Sequence, residues 1–186
     1  MRRKRGSKDE VLEALGELKE PSIDPYYLYS YVEHQHYPNP TEKFIDSLQK
    51  AGGRVFFHRP ANIQSIFKDA KITLDLTSDN RVGLTNLQKV DLTILKAEFG
   101  VAENGAVWIN WNDEAHPRAL LTISRYLAIY LERDKIFNNM AEAYSSLDFS
   151  NISYGIFLSG PSKTADIEQS LVIGAHGATD LVLFLI

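Results

Sequence analysis

Cysteine is absent from the 186 residues, which excludes a conventional iron–sulfur cluster, a zinc–thiolate centre and any disulfide within this chain. Long apolar runs are absent as well. The longest, from Leu181 to Ile186, falls far short of the ~20 residues a helix needs to cross a bilayer. Neither the Gly-x-Gly-x-x-Gly dinucleotide fingerprint nor the Gly-x-x-x-x-Gly-Lys-Ser/Thr phosphate loop occurs. Cations are not in excess: the formal net charge is -4, which argues against nucleic acid as a main partner. They crowd only at Met1-Arg2-Arg3-Lys4-Arg5, after which Gly6 leads straight into Ser7-Lys8-Asp9-Glu10. With no apolar segment behind it, this start does not read as a secretory signal. A solvated tail is expected, with contact to an acidic partner as the competing reading, and the expected location is cytoplasmic.

What is present is the composition of a globular protein, 44% hydrophobic and 24% charged, at a length that suits one well-packed domain. Residues 7–19 carry Val11, Leu12, Leu15 and Leu18 at helical spacing, and Pro21 ends that helix. A Tyr-rich connector follows to Pro40, so the chain divides into a tail, helix and connector over 1–39 and an α/β domain over 40–186. In the domain, Pro40-Thr41 opens a helix with Phe44, Ile45 and Leu48 on one face and Gly52-Gly53 as its stop. Strands are expected at 54–58, 71–76, 91–97, 99–102, 106–111, 117–123, 126–130, 152–158 and 181–186. Helices are expected at 61–70, 134–147 and 164–171. Asn104-Gly105 is a strong short-range hairpin signal between two of the strands. The alternation gives a mixed, mostly parallel sheet with helices on both faces.

The stretch Ser159-Gly160-Pro161-Ser162-Lys163-Thr164-Ala165-Asp166-Ile167-Glu168 carries the densest chemistry. A strand emptying into a Gly/Pro loop ahead of a helix places backbone N–H groups and a positive helix end against an anion. Lys163 can neutralise that anion, and Ser162 and Thr164 can donate to it; the competing readings are a rigid connection and two helix caps. Asp166 and Glu168, two residues apart, point to different faces of a helix, so at most one serves the site. Asp166 is the better placed, unless it only complements the helix dipole. His176, between Gly174 and Gly177, is a candidate proton donor or hydrogen-bond donor, or else a solvated loop residue. His34 and His36 have metal-compatible spacing but no third ligand with any pattern, so no metal site is assigned. The tyrosines at 26, 27, 29, 31 and 37 read as packing aromatics, since no cations interleave with them.

That stretch, followed by Gly174-Ala175-His176-Gly177 and a final apolar strand, resembles the C-terminal signature of the LUD domain, the family of lactate-utilisation protein C (LutC/YkgG-like). The resemblance extends more weakly from about Pro40 to Ile186. It implies the NagB/RpiA/CoA transferase-like fold shared by ribose-phosphate isomerases, glucosamine-phosphate deaminases and CoA transferases. It also implies a subunit that works with iron–sulfur partner proteins in oxidising L-lactate to pyruvate, clusters residing on the partners and no cofactor in this chain. The ligand-binding set is then Gly105, Gly160, Pro161, Ser162, Lys163, Thr164, Asp166 and Gly177, around a small anionic metabolite, with Glu103 and His176 as catalytic candidates. The family pattern usually reads Glu-Thr-Gly where this chain has Glu103-Asn104-Gly105. Those three residues also look like the Glu-Asn-Gly of CoA transferases, whose glutamate is a nucleophile. A second reading is therefore a free-standing enzyme on a CoA-linked, folate-like or phosphorylated metabolite, with Glu103 as nucleophile or base. A third is a non-catalytic assembly module. Glu103, Lys163 and His176 are expected to meet in one pocket at the carboxyl edge of the sheet.

The purified chain should be colourless and carry neither stoichiometric iron nor flavin; metal analysis and an absorbance spectrum check this.

Overall fold

The computed structural model describes residues 35–77, 89–111, 117–165, 171–174 and 176–186, all within one compact unit, Gln35–Ile186. The expected basic tail and first helix, most of the Tyr-rich connector, His34, Asp166 and Glu168 lie outside the described residues. Among the described residues, no helix is long and apolar enough to cross a membrane.

The first helix, α1 (Pro40–Lys50), starts as its residues dictate: Pro40 has no N–H to lose at the first position, and the Asn39 side chain accepts the Glu42 N–H. Its apolar face sends Phe44 and Leu48 into the main core, both fully buried. Five strands then build a wholly parallel sheet in the order β1-β11-β6-β3-β2: β1 (Arg54–Phe56), β2 (Thr73–Asp75), β3 (Leu92–Lys96), β6 (Tyr126–Leu131) and β11 (Asp180–Leu185). Each of β3, β6 and β11 is apolar on both faces, as a strand covered on both sides must be. Odd-numbered Leu127, Ile129, Leu181 and Leu183 enter one core with Phe44 and Leu48. Even-numbered Leu92, Ile94, Ala128, Tyr130, Val182 and Phe184 enter a second with Phe67 and Ala70.

A mixed sheet in the order β7-β4-β5-β8 makes the next layer: β4 (Phe99–Val101), β5 (Ala106–Asn110), β7 (Ile136–Phe137) and β8 (Gly155–Leu158). Its alternation is as clean. Val107, Ile109, Ile136 and Ile156 face the main core, whereas Phe99, Trp108, Phe137 and Phe157 form a third, aromatic core on the outer face. Gly155 leaves the space Trp108 occupies, since a Cβ there would lie 2.1 Å from the indole ring. The β4–β5 hairpin closes through the turn at Glu103-Asn104-Gly105 as expected.

Four local expectations are corrected. Residues 117–123 hold a helical turn, α2 (Leu120–Ile123), rather than a strand; a short apolar run fits either state by pattern alone. Residues 134–147 split into β7 and a short helix, α3 (Met140–Ser145), because Ile136 and Phe137 find backbone partners at Gly100 and Val101, and Asn139 caps the helix that follows. Residues 61–70 give one 3₁₀ turn, Ile63–Ser65. Most consequentially, the described ends of the helix expected at 164–171 stand in strands: β9 (Lys163–Ala165) pairs antiparallel with β10 (Leu171–Ile173).

At the carboxyl ends of β3 and β6, Glu132 accepts from both Lys96 and Lys135, and the two ammonium groups hold its carboxyl down at about 2. A depressed carboxyl pKa contributes stability that is present above the unfolded value of ~4.5 and lost as pH falls through the folded value. Thermal melts should therefore show Glu132→Gln below wild type at pH 6, the gap narrowing under pH 4.5 and closing near pH 2.

Candidate functional site

Loop residues 159–162, the end of β8 and residues 176–178 surround a cleft of about 310 Å³, whose far wall is Leu121, Thr122 and Leu127. Backbone bonds lock the two loops together: the Ser162 N–H donates to the Ala178 carbonyl at 2.8 Å and the Gly174 N–H to the Ser162 carbonyl at 2.9 Å. Gly177 is closely packed here, as a Cβ on it would lie 3.0 Å from the Ser162 Cβ. Of the expected site residues, the structure thus gathers Gly160, Pro161, Ser162, His176 and Gly177 into one place. Ser159 joins them, its hydroxyl donating to the Asn104 carbonyl at 2.8 Å. His176 is exposed and Pro161 buried.

The cleft lies at the amino edge of the parallel sheet, because the residues that form it precede β6 and β11. The carboxyl edge was the expected position, and the reason for the difference is that the loop leaves a strand of the mixed sheet, not of the parallel one. Among the described residues no helix N-terminus faces the loop, and directly behind it stands β9, paired with β10. Thr164 stands in β9 opposite Val172.

Glu103 and Lys163 do not line the cleft. The Glu103 carboxylate accepts the Met140 N–H at 2.9 Å, at the first residue of α3, so it acts as a cap. Lys163 lies over the carboxyl end of α1: a Cβ on Gly52 would come within 3.0 Å of its Nζ. An ammonium there complements the partial negative charge of the helix end. Gly160 and Gly105 dock on the same end. Both have positive φ, +72° and +68°, and a Cβ on either would strike backbone, the Ala51 carbonyl oxygen at 2.4 Å for Gly160 and the Leu48 nitrogen at 2.3 Å for Gly105. These two glycines are therefore required by packing. His36 pairs with Glu142 at 3.3 Å, and no group of three His, Asp or Glu residues among those described can hold a metal ion. Sequence reasoning missed Leu121, Thr122 and Leu127, whose place in the cleft depends on the tertiary position of α2 and leaves no local signal.

A wholly parallel sheet under a mixed sheet, with a ligand-sized cleft built largely by the last third of the chain, defines a mixed α/β protein of the kind the sequence led us to expect. The sequence model of the LUD domain matches residues 69–186, and the chain belongs to the LUD domain family. It is 32% identical over 100 residues to an uncharacterized protein of Neisseria meningitidis serogroup B, covering 52% of this chain and 42% of that protein. It is 29% identical over 114 residues to lactate utilization protein C of Bacillus subtilis, covering 56% and 47%, and 29% over 100 residues to lactate utilization protein C of Bacillus pumilus, covering 50% and 41%. The chain thus spans less than half the length of these relatives. The crystal structure of a DUF162 family protein from Deinococcus radiodurans has the same fold, with a TM-score of 0.55 at 14% identity over 78% of this chain and 95% of that one.

Gly105→Ala should lose about 3 kcal/mol, from a strained φ added to a backbone clash. Glu103→Ala should lose only about 1 kcal/mol, the worth of a helix cap. Chemical denaturation of the two variants checks the ranking, and equal losses would contradict the packing account of Gly105.

Proposed function

We propose that this chain is a lactate-utilisation subunit, similar in role to lactate utilization protein C, that works with iron–sulfur partner proteins in oxidising L-lactate to pyruvate. The observation that carries this reading is the closure of residues 159–162 and 176–178, which hold much of the family signature, around a single cleft. The cleft has the chemistry for a small hydroxy- or keto-acid. Ser162 and His176 supply hydroxyl and imidazole donors for a carboxylate, and Leu121 and Leu127 offer an apolar wall for its methyl group. Removing two electrons and two protons from lactate requires an acceptor. In this proposal the electrons pass to clusters on the partner subunits, consistent with the lack of any cysteine thiolate here. The chain contributes binding and orientation of the acid, in the cytoplasm. The rival transferase reading is disfavoured by Glu103, whose carboxylate is held as a cap on α3 and does not line the cleft.

The test is affinity purification of the tagged chain from its source cells growing on L-lactate, with calorimetric titration of pyruvate into the purified chain. Cysteine-rich, iron-containing proteins should co-purify, and His176→Ala should weaken pyruvate binding about tenfold or more, the worth of one hydrogen bond to a charged group. Absence of such partners together with normal growth of a deletion strain on L-lactate would overturn the proposal.

A further inference from the structure

A second and larger cavity, of about 470 Å³, opens on the outer face of the mixed sheet, away from the cleft. Its floor is apolar, from Phe99, Phe137, Leu147 and Ile152, and among the described residues its rim carries Glu98, Asp134 and Asp148 against one cation, Lys135. That ammonium is already committed to Glu132 at 2.9 Å. The volume is that of an ordinary small-molecule site, and its balance of apolar wall and few polar groups is the usual one.

One polar group beside the cavity lacks a partner. Asn110 lines the cavity, and its Oδ1 is buried with no hydrogen-bond partner. A buried acceptor left without a donor is destabilising, and such a group in a folded protein calls for an explanation. The Trp108 Nε1, on the same face of β5, is also unpaired. No three carboxylates among the described residues converge closely enough to hold a metal ion, so the negative charge is spread around the rim. A spread negative rim over an aromatic floor suits an organic cation with an apolar body. The field is felt by Lys135 itself, whose pKa is raised chiefly by Glu132 and further by Asp134 and Glu98.

We infer that this cavity is a binding site for a small amphipathic amine, whose apolar body packs on Phe99 and Phe137, whose charge is met by Glu98 and Asp134, and whose N–H groups give the Asn110 amide the donor it lacks. Because Asn110 Oδ1 is buried in this structure, binding requires the amide to turn toward the cavity. The site is independent of the cleft and of the role proposed for it.

The probe is phenethylamine, with 3-phenylpropionate as its anionic counterpart, titrated at neutral pH into the full isotope-labelled chain and followed by amide and indole NMR signals. Phenethylamine should shift signals of Phe99, Asn110, Phe137 and the Trp108 indole saturably, while 3-phenylpropionate does not. Glu98→Gln combined with Asp134→Asn should weaken amine binding about fivefold or more, the size expected for lost charge-assisted contacts. Asn110→Leu should weaken binding similarly while leaving the melting temperature unchanged or higher, because it removes the unpaired acceptor. Equal responses to amine and acid, no saturable response at millimolar concentration, or full affinity in the carboxylate double variant would each overturn the assignment. The carboxylate variant keeps the test decisive if Asn110→Leu does not fold.

Discussion

Six residue pairs, from Asp180 with Tyr126 to Leu185 with Leu131, hold β11 and β6 in parallel register at the middle of the larger sheet. Every side chain from 127 to 131 and from 181 to 185 is buried. At roughly 1.5–3 kcal/mol for each large apolar side chain taken from water, this pair is a major block of apolar burial in the fold. It also dictates the layers. Strands apolar on both faces need a cover on each, and on the odd-numbered side that cover is α1 together with the inner face of the mixed sheet. The mixed sheet must then bury its own aromatic outer face, which α3 and the turn after it only partly accomplish. The larger cavity occupies what they leave open.

The position of the cleft follows from the same arrangement. Because α1 delivers the chain into β1 at the amino edge, its carboxyl end points there, and Gly160, Gly105 and Lys163 gather around it. The charge at that end favours cations. Lys163 is satisfied by it, and an anion is better accommodated a few residues along, where Ser162 and His176 face Leu121 and Thr122. Glycine and lysine thus hold the loop in place, while its hydroxyl and imidazole groups are left for a ligand.

The central strands were legible because apolar runs such as Leu181 to Leu185, and the alternation in Ala106 to Asn110, require only local pattern. The Asn104-Gly105 turn and the start of α1 at Pro40 carried equally local signals. What escaped was decided at a distance. Ile136 and Phe137 sit in a stretch with helical spacing, yet the free edge of β4 captures them as a strand. Lys163 to Ala165 follow a loop that reads as a helix entrance, yet they pair with residues 171–173. Grouping Ser162 with His176 was legible from their shared signature, but the edge of the sheet they occupy was not, since it depends on which sheet β8 joins.

Arg54 and Asp180, 126 residues apart, form a two-pronged ion pair where β1 meets β11. Among the described residues β1 has no neighbour in the sheet other than β11. A chain emerging from the ribosome at about 5–20 residues per second therefore exposes the edge of β1 for roughly six seconds or more before its partner exists. Through that interval the adjacent α1 is a neighbour β1 can lean on, and the strand that completes the sheet must insert between β1 and β6 rather than add at an outer edge. Assembly is thus ordered by topology: β2, β3 and β6 lie side by side early, and the two halves of the sheet are joined last, by β11.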